Sequence, residues 1–359
     1  KTSRKSNGVS LLDLRPRIPL RELSLFCRQL AVMIDAGIPL LTGLMILRDQ
    51  GKKNRFRVTL TEIIEQLEGG QSFCQSLARY PNTFPRIFTA MVEAGEAGGF
   101  LGTSLEQIAV FWEWEHRLRE KVKSSIAYPV FVLVITIIAL NFLVLYVLPA
   151  FSAILEQMDV ELPLVTRFVL DLSNFWHHYW FLFVVILGGA LVSAVCLIKF
   201  TPEGRRGFDR FILKVPLFGE IVRKTIISRF CRTLAALLRV GVPVIAALEV
   251  VEKTCGNMVV ERSIAKARDA ICQGESMAVP LRRSGIFPLL VIEMISVGEE
   301  TGALDAMLEK AGDFYDEDLE NLALRLAALT EPVLLLFVGG IVCFVFLSVF
   351  LSPFVLFLL

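Results

Sequence analysis

Apolar residues along this chain recur at helical spacing. Leu23, Phe26, Cys27, Leu30 and Ile34 stand three and four residues apart, which gathers them on one face of a helix. Ala36-Gly37-Ile38-Pro39 then interrupts the pattern. Glycine takes the left-handed conformation that ends a helix, and proline suits the start of the next. Leu60, Ile63, Ile64 and Leu67 form another stripe, closed by Gly69-Gly70. Strand-type alternation is absent. Several short helices with short turns predict an all-α chain packed as an antiparallel bundle, with the stripes as core.

The pattern occurs twice. Phe26-Cys27-Arg28 and Leu30-Ala31 match Phe230-Cys231-Arg232 and Leu234-Ala235, at an offset of 204. Gly37 and Pro39 match Gly241 and Pro243, and Gly70 and Ser72 match Gly274 and Ser276. After one deletion the offset is 203. Phe84-Pro85 then matches Phe287-Pro288, Gly95-Glu96 matches Gly298-Glu299, Gly99 matches Gly302, and Pro129-Val130 matches Pro332-Val333. Each copy leads into an uncharged run, so the repeated unit is a helical domain plus that run.

Three such runs read as membrane spans: 130–148, 179–198 and 333–359. Nineteen residues of helix measure about 28 Å, close to the hydrocarbon thickness. Pro129 and Pro332 stand where the first and third spans begin, the helical position that tolerates a missing N–H. Arg117, Arg119, Lys121 and Lys123 precede the first span, and Lys199, Arg205, Arg206, Arg210 and Lys214 follow the second. The connection between them holds only Arg167 against Glu156, Asp159, Glu161 and Asp171. The positive-inside rule therefore places the basic flanks in the cytoplasm and the connection outside. The expected layout is a basic linker over 1–20, left by a missing N-terminal stretch, and a cytoplasmic helical domain over 21–129. The first span, 130–148, leads to an extracytoplasmic connection over 149–178 and the second span, 179–198. A basic juxtamembrane segment over 199–224 precedes the second cytoplasmic helical domain, 225–332. The third span, 333–359, leaves the C-terminus outside.

Composition fits that division. Apolar residues make up 54% of the chain and charged ones 20%, too polar for a wholly buried membrane protein and too apolar for an ordinary soluble one. The net charge of +1 gives no general attraction to nucleic acid. None of the seven cysteines falls in a Cys-x-x-Cys arrangement, and they read as small apolar residues. There is no phosphate-binding GxxxxGK[ST] loop, no HExxH and no GxSxG. His177-His178 lie beside Trp176, Tyr179 and Trp180, an interfacial aromatic belt. The spans carry no acid or base, which disfavours the alternative of a channel or ion-coupled transporter. No cofactor or metal site is expected.

The most informative local element is the turn around Glu93, Gly95, Glu96 and Gly99, matched by Gly298, Glu299, Glu300 and Gly302. As a structural turn, its glycines give left-handed backbone and close approach, and its acids cap the N-terminus of the helix that follows. As chemistry, the acids would be a catalytic pair or a cation site, but Ala97 answers Glu300, so the set is not duplicated. Acids also crowd the helix beyond. Glu113 and Glu115 match Asp316 and Asp318, and the second copy adds Asp313, Glu317 and Glu320. This is a solvated face or a docking surface for a basic partner.

At these residues the chain resembles the inner-membrane platform proteins of type IV pilus and type II secretion systems. The resemblance rests on the Phe-x-Arg-x-Leu helix with its Gly-x-Pro turn, the Gly-x-Ser and Phe-Pro elements, the Gly-Glu-x-x-Gly turn and the proline before the span. It covers about Arg21 to Phe354. The first turn departs from the family pattern in having Gly98, which leaves hydroxyl capping to Thr301 in the second copy. The resemblance implies a non-enzymatic platform in the bacterial inner membrane. Its implied partners are a cytoplasmic hexameric assembly ATPase, pilins or pseudopilins, other inner-membrane assembly proteins and further copies of itself. Glu93, Glu96, Glu299, Glu300, Asp313, Asp316, Glu317 and Asp318 are the candidate docking residues.

Overall fold

A computed structural model of the chain describes residues 18–50, 55–142 and 218–357, with isolated positions between 146 and 212. Its elements are all α-helices, and the described residues hold no strand. The first copy comprises α1 (Leu20–Asp35), α2 (Leu40–Gln50), α3 (Arg55–Glu68), α4 (Phe73–Ala78), α5 (Arg86–Gly98) and α6 (Leu101–Phe142). The second repeats the order helix for helix: α7 (Phe218–Arg239), α8 (Val244–Thr254), α9 (Met258–Cys272), α10 (Ala278–Ser284), α11 (Leu289–Thr301) and α12 (Leu304–Phe357).

The turns follow from the matched glycines. At the end of α1, Gly37 has φ 81° and Ile38 N–H donates to Met33 O at 2.9 Å; at the end of α7, Gly241 has φ 78° and Val242 N–H donates to Leu237 O at 3.0 Å. That bond from beyond the helix back to its last turn closes carbonyls otherwise left open, and a side chain at the glycine would resist the left-handed backbone. Proline serves as the N-cap of α8, α5 and α11 through Pro243, Pro85 and Pro288, each starting its helix through its carbonyl alone.

Two compact units divide the molecule. One holds the described helices up to Glu120 together with Ile212–Leu319, and the other the described parts of Lys121–Phe211 and Glu320–Leu359. In the first unit α1 to α5 pack each on the next, as do α7 to α11, and α5 of the first copy also packs on α7 and α8 of the second. The predicted stripes are its core. Cys27, Leu30 and Ile63 are wholly buried, and Leu23, Phe26, Leu60 and Ile64 nearly so. Phe26 meets Phe56 edge-on at 5.1 Å and Phe84 lies 4.9 Å from Phe88; the second copy repeats the theme with Phe230 and Phe287 at 4.8 Å. Each such side chain contributes roughly 1.5–3 kcal/mol when taken out of water.

The second unit contrasts with this. Phe131, Ile138, Leu336 and Phe337 are 60% exposed or more. Asn141, in the same stretch, satisfies its amide on its own helix, donating to Ile137 O at 2.8 Å. Lys121 and Glu320 form an exposed ion pair at 2.5 Å.

The structure bears on three expectations. Pro129 and Pro332 do not begin helices, since α6 and α12 run through both. An interior proline forfeits one hydrogen bond and costs about 3 kcal/mol, whereas breaking the helix in an apolar stretch would strand several backbone groups at once. Helix α7, described from Phe218, takes in the last residues of the segment expected over 199–224. Among the described residues, no helix is long and apolar enough to cross a membrane. The expected span over 179–198 and its preceding connection lie outside the described residues except for single positions, and 130–148 and 333–359 are described only in part. The three spans rest on the sequence.

Candidate functional site

The Gly-Glu turns are built by close approach. A Cβ on Gly95 would lie 2.2 Å from Ser104 Oγ and 2.6 Å from its Cβ; one on Gly298 would lie 2.8 Å from Leu304 Cα. Helices α5 and α11 therefore meet the first turns of α6 and α12 more closely than any side chain permits. Gly99 and Gly302, at φ 75° and 70°, then reverse the chain.

With Gly95 turned toward α6, the next residue points about 100° further round the helix. Glu96 accordingly reaches α4. Its Oε1 accepts from Phe73 N–H at 2.8 Å and its Oε2 from Cys74 N–H at 3.0 Å. Ser72 Oγ completes the cap, accepting from Gln75 N–H at 3.2 Å. In the second copy Glu299 Oε1 accepts from Met277 N–H at 2.8 Å, while Ser276 Oγ donates to Glu299 Oε2 at 2.5 Å. The matched Gly-x-Ser and Gly-Glu elements are thus two halves of one lock, made twice. It fixes α4 to α5 and α10 to α11. The expectation that these acids cap the following helix is corrected: the orphan N–H groups they satisfy belong to a helix more than twenty residues earlier. Thr301 caps nothing either, since its hydroxyl donates back to Val297 O at 2.7 Å.

Glu93 and Glu300 are exposed. Glu300 lines an open groove of about 740 Å³ with Ser276, Arg282, Arg283 and Glu299, so the acids there share their surface with two arginines. Beside the first lock, Cys74 has its thiol pushed up to about 11, by burial first and then by Glu93 and Glu96, which leaves it a poor nucleophile.

The acidic helices form a second site. Arg28 forks onto Glu113 through bonds of 3.0 and 2.9 Å, and the matched Arg232 reaches Asp316 at 2.9 Å and Asp313 at 2.5 Å. Asp316 also accepts from Ser228 Oγ and, at 2.7 Å, from Trp114 Nε1 of the first copy. The Arg232 guanidinium lies 5.7 Å over the Trp114 ring. Nearby, buried Glu115 pairs with Arg119 at 2.7 Å and with Arg229 of the second copy at 2.9 Å. Arg86 of α5 meets Glu249 of α8 at 2.7 Å. The Trp114–Asp316, Glu115–Arg229 and Arg86–Glu249 bonds cross between the copies and form a charged joint.

Of the candidate docking acids, Glu96 and Glu299 are therefore spent on caps. Asp313 and Asp316 hold Arg232, and Asp318 holds Lys224 at 2.9 Å. Glu93, Glu300 and Glu317 face solvent. No convergent pair of free carboxylates forms from Glu93 with Glu96 or from Glu299 with Glu300. The duplicated ion pair is the feature sequence reasoning passed over, although arginine and acid occupy matched positions in both copies.

A family model described as type II secretion system protein F matches residues 26–149 and again residues 230–352. The chain belongs to the type II secretion system protein F family. The double match falls on the two copies. A type IV pilus assembly protein PilC from Thermus thermophilus is 39% identical over 336 residues, 93% of this chain and 82% of that one. A PilC from Myxococcus xanthus is 37% identical over 325 residues, 90% of this chain and 77% of that one. The type II secretion system protein F of Pseudomonas aeruginosa is 32% identical over 353 residues, 98% and 86% of the two chains. The family thus takes in both pilus and secretion members. It is a family of platform proteins of such machinery and not a known enzyme family.

Proposed function

We propose that this chain is the inner-membrane platform of a type IV pilus or type II secretion machine, and that it couples a cytoplasmic assembly ATPase to the insertion of pilins or pseudopilins into a filament. The observation that carries the reading is the double family match on two copies of one helical bundle, each ending in a long helix. At 1.5 Å per residue, α6 is about 60 Å long and α12 about 80 Å. Each starts at a locked Gly-Glu turn and enters a stretch with no charged residue. Large apolar side chains exposed along that stretch are what lipid, or the apolar helix of a pilin, would cover. The Lys and Arg flanks favour a cytoplasmic location for both bundles and an extracytoplasmic C-terminus.

The test is genetic. In cells that keep the ATPase and the pilins or pseudopilins at normal levels, removing this chain should abolish filaments or secretion, and restoring it should bring them back. Filaments that persist without it would refute the reading.

A further inference from the structure

The joint between the two copies runs in one direction. α5 of the first copy covers α7 and α8 of the second. The helix matched to α5 is α11, and the helices matched to the covered pair are α1 and α2. Burial follows that asymmetry. On α7, Ile226, Thr233 and Val240 are 6, 1 and 3% exposed. The matched Glu22, Gln29 and Ala36 of α1 are not buried, and on the same helix Leu25 and Val32 are 55 and 65% exposed. On α5, Ile87 is 3% exposed; its match on α11, Leu290, is 37% exposed, next to Leu289 at 64%. Each copy therefore leaves open the face that its counterpart covers.

We propose that a second copy of this chain fills both faces, with α11 of one chain docked on α1 and α2 of the next in a repeat of the internal joint. The matched positions support this occupant. Inside the chain, Arg86 and Glu249 form an ion pair. The corresponding positions between chains are Leu289 and Met45, so the ion pair gives way to an apolar pair. Lasting protein interfaces have that composition at their centres. The contact uses a different surface on each partner. It is head-to-tail and builds a ring where the rotation closes.

The test uses the full chain in lipid nanodiscs, with exposed Cys272 and Cys343 replaced by serine. The parent chain should be oligomeric. Leu289→Arg should weaken self-association at least tenfold. Adding Met45→Glu should restore it, by recreating between chains the ion pair seen within one. Independently, membranes holding one chain with Met45→Cys and another with Leu289→Cys should give a crosslinked dimer with a short bis-maleimide. A monomeric parent, an unchanged L289R oligomer, a double variant that fails to reassociate, or crosslinks only between like cysteines would each overturn the proposal. The readouts are self-association and crosslinking, so they are independent of filament assembly.

Discussion

A carboxylate that accepts from two backbone N–H groups at a helix start does the work of several neutral caps, because the bonds are charge-assisted and the helix end is partially positive. Glu96 does this for α4. Glu96→Ala should cost about 1–2 kcal/mol, the range for charged hydrogen bonds at a partly exposed cap. Amide exchange should quicken at Phe73 and Cys74 while the core of α3 stays protected. Glu299→Ala should behave alike at Met277. Acid pH acts on a second pair, Arg239 with Glu309. The Arg239 guanidinium holds the Glu309 carboxyl below its usual range. The folded chain therefore takes up that proton later than the unfolded chain as the pH falls. The stabilisation is complete above the ordinary glutamate value of about 4.3 and is lost as the pH drops through the lower folded value. Both side chains are about one-third exposed, so the pair is worth about 0.5 kcal/mol. Glu309→Gln should flatten the acid side of a Tm–pH curve, and an unchanged curve would remove the pair from the account.

Among elements, the turn between α5 and α6 separates two roles of glycine. Gly95→Ala forces a Cβ into Ser104 and should cost about 1–3 kcal/mol by overpacking. Gly99→Ala meets no neighbouring atom, only left-handed strain of roughly 1–2 kcal/mol. Thermal unfolding of the two variants, with Ser104→Ala added to the first, should show partial relief for Gly95→Ala alone. These elements were legible in sequence because their causes are local. The spacing of Leu23, Phe26, Cys27 and Leu30 is the helix, and the matched Gly37 and Gly241 are its ends. The target of Glu96 was not legible, because it depends on how α4 lies against α5. Nor were the Arg28–Glu113 pair, 85 positions apart, and the Trp114–Asp316 bond, 202 apart. Such contacts are set by packing that no local period reports. Pro129 misled for the opposite reason: the local rule is sound, but the cost of ending a helix in apolar surroundings outweighs it.

For the whole molecule, the charged joint makes one body of the two copies. Glu115→Ala strands Arg229 at that joint. Because both arginines around it retain some solvent, the cost should be about 1–3 kcal/mol, below that of breaking a fully buried pair. Proteolysis should then separate the copies more readily while each keeps its own helices, whereas equal resistance would mean that Glu115 does not hold them. In the proposed function the bundles act on the apolar segments through α6 and α12. A short Gly-Ser insert after Glu120, leaving every core and joint residue in place, tests it most directly when filaments or secreted substrate are counted in cells lacking the native chain. The chain with the insert should reach the membrane at normal levels and assemble nothing. Normal assembly by that chain would contradict it.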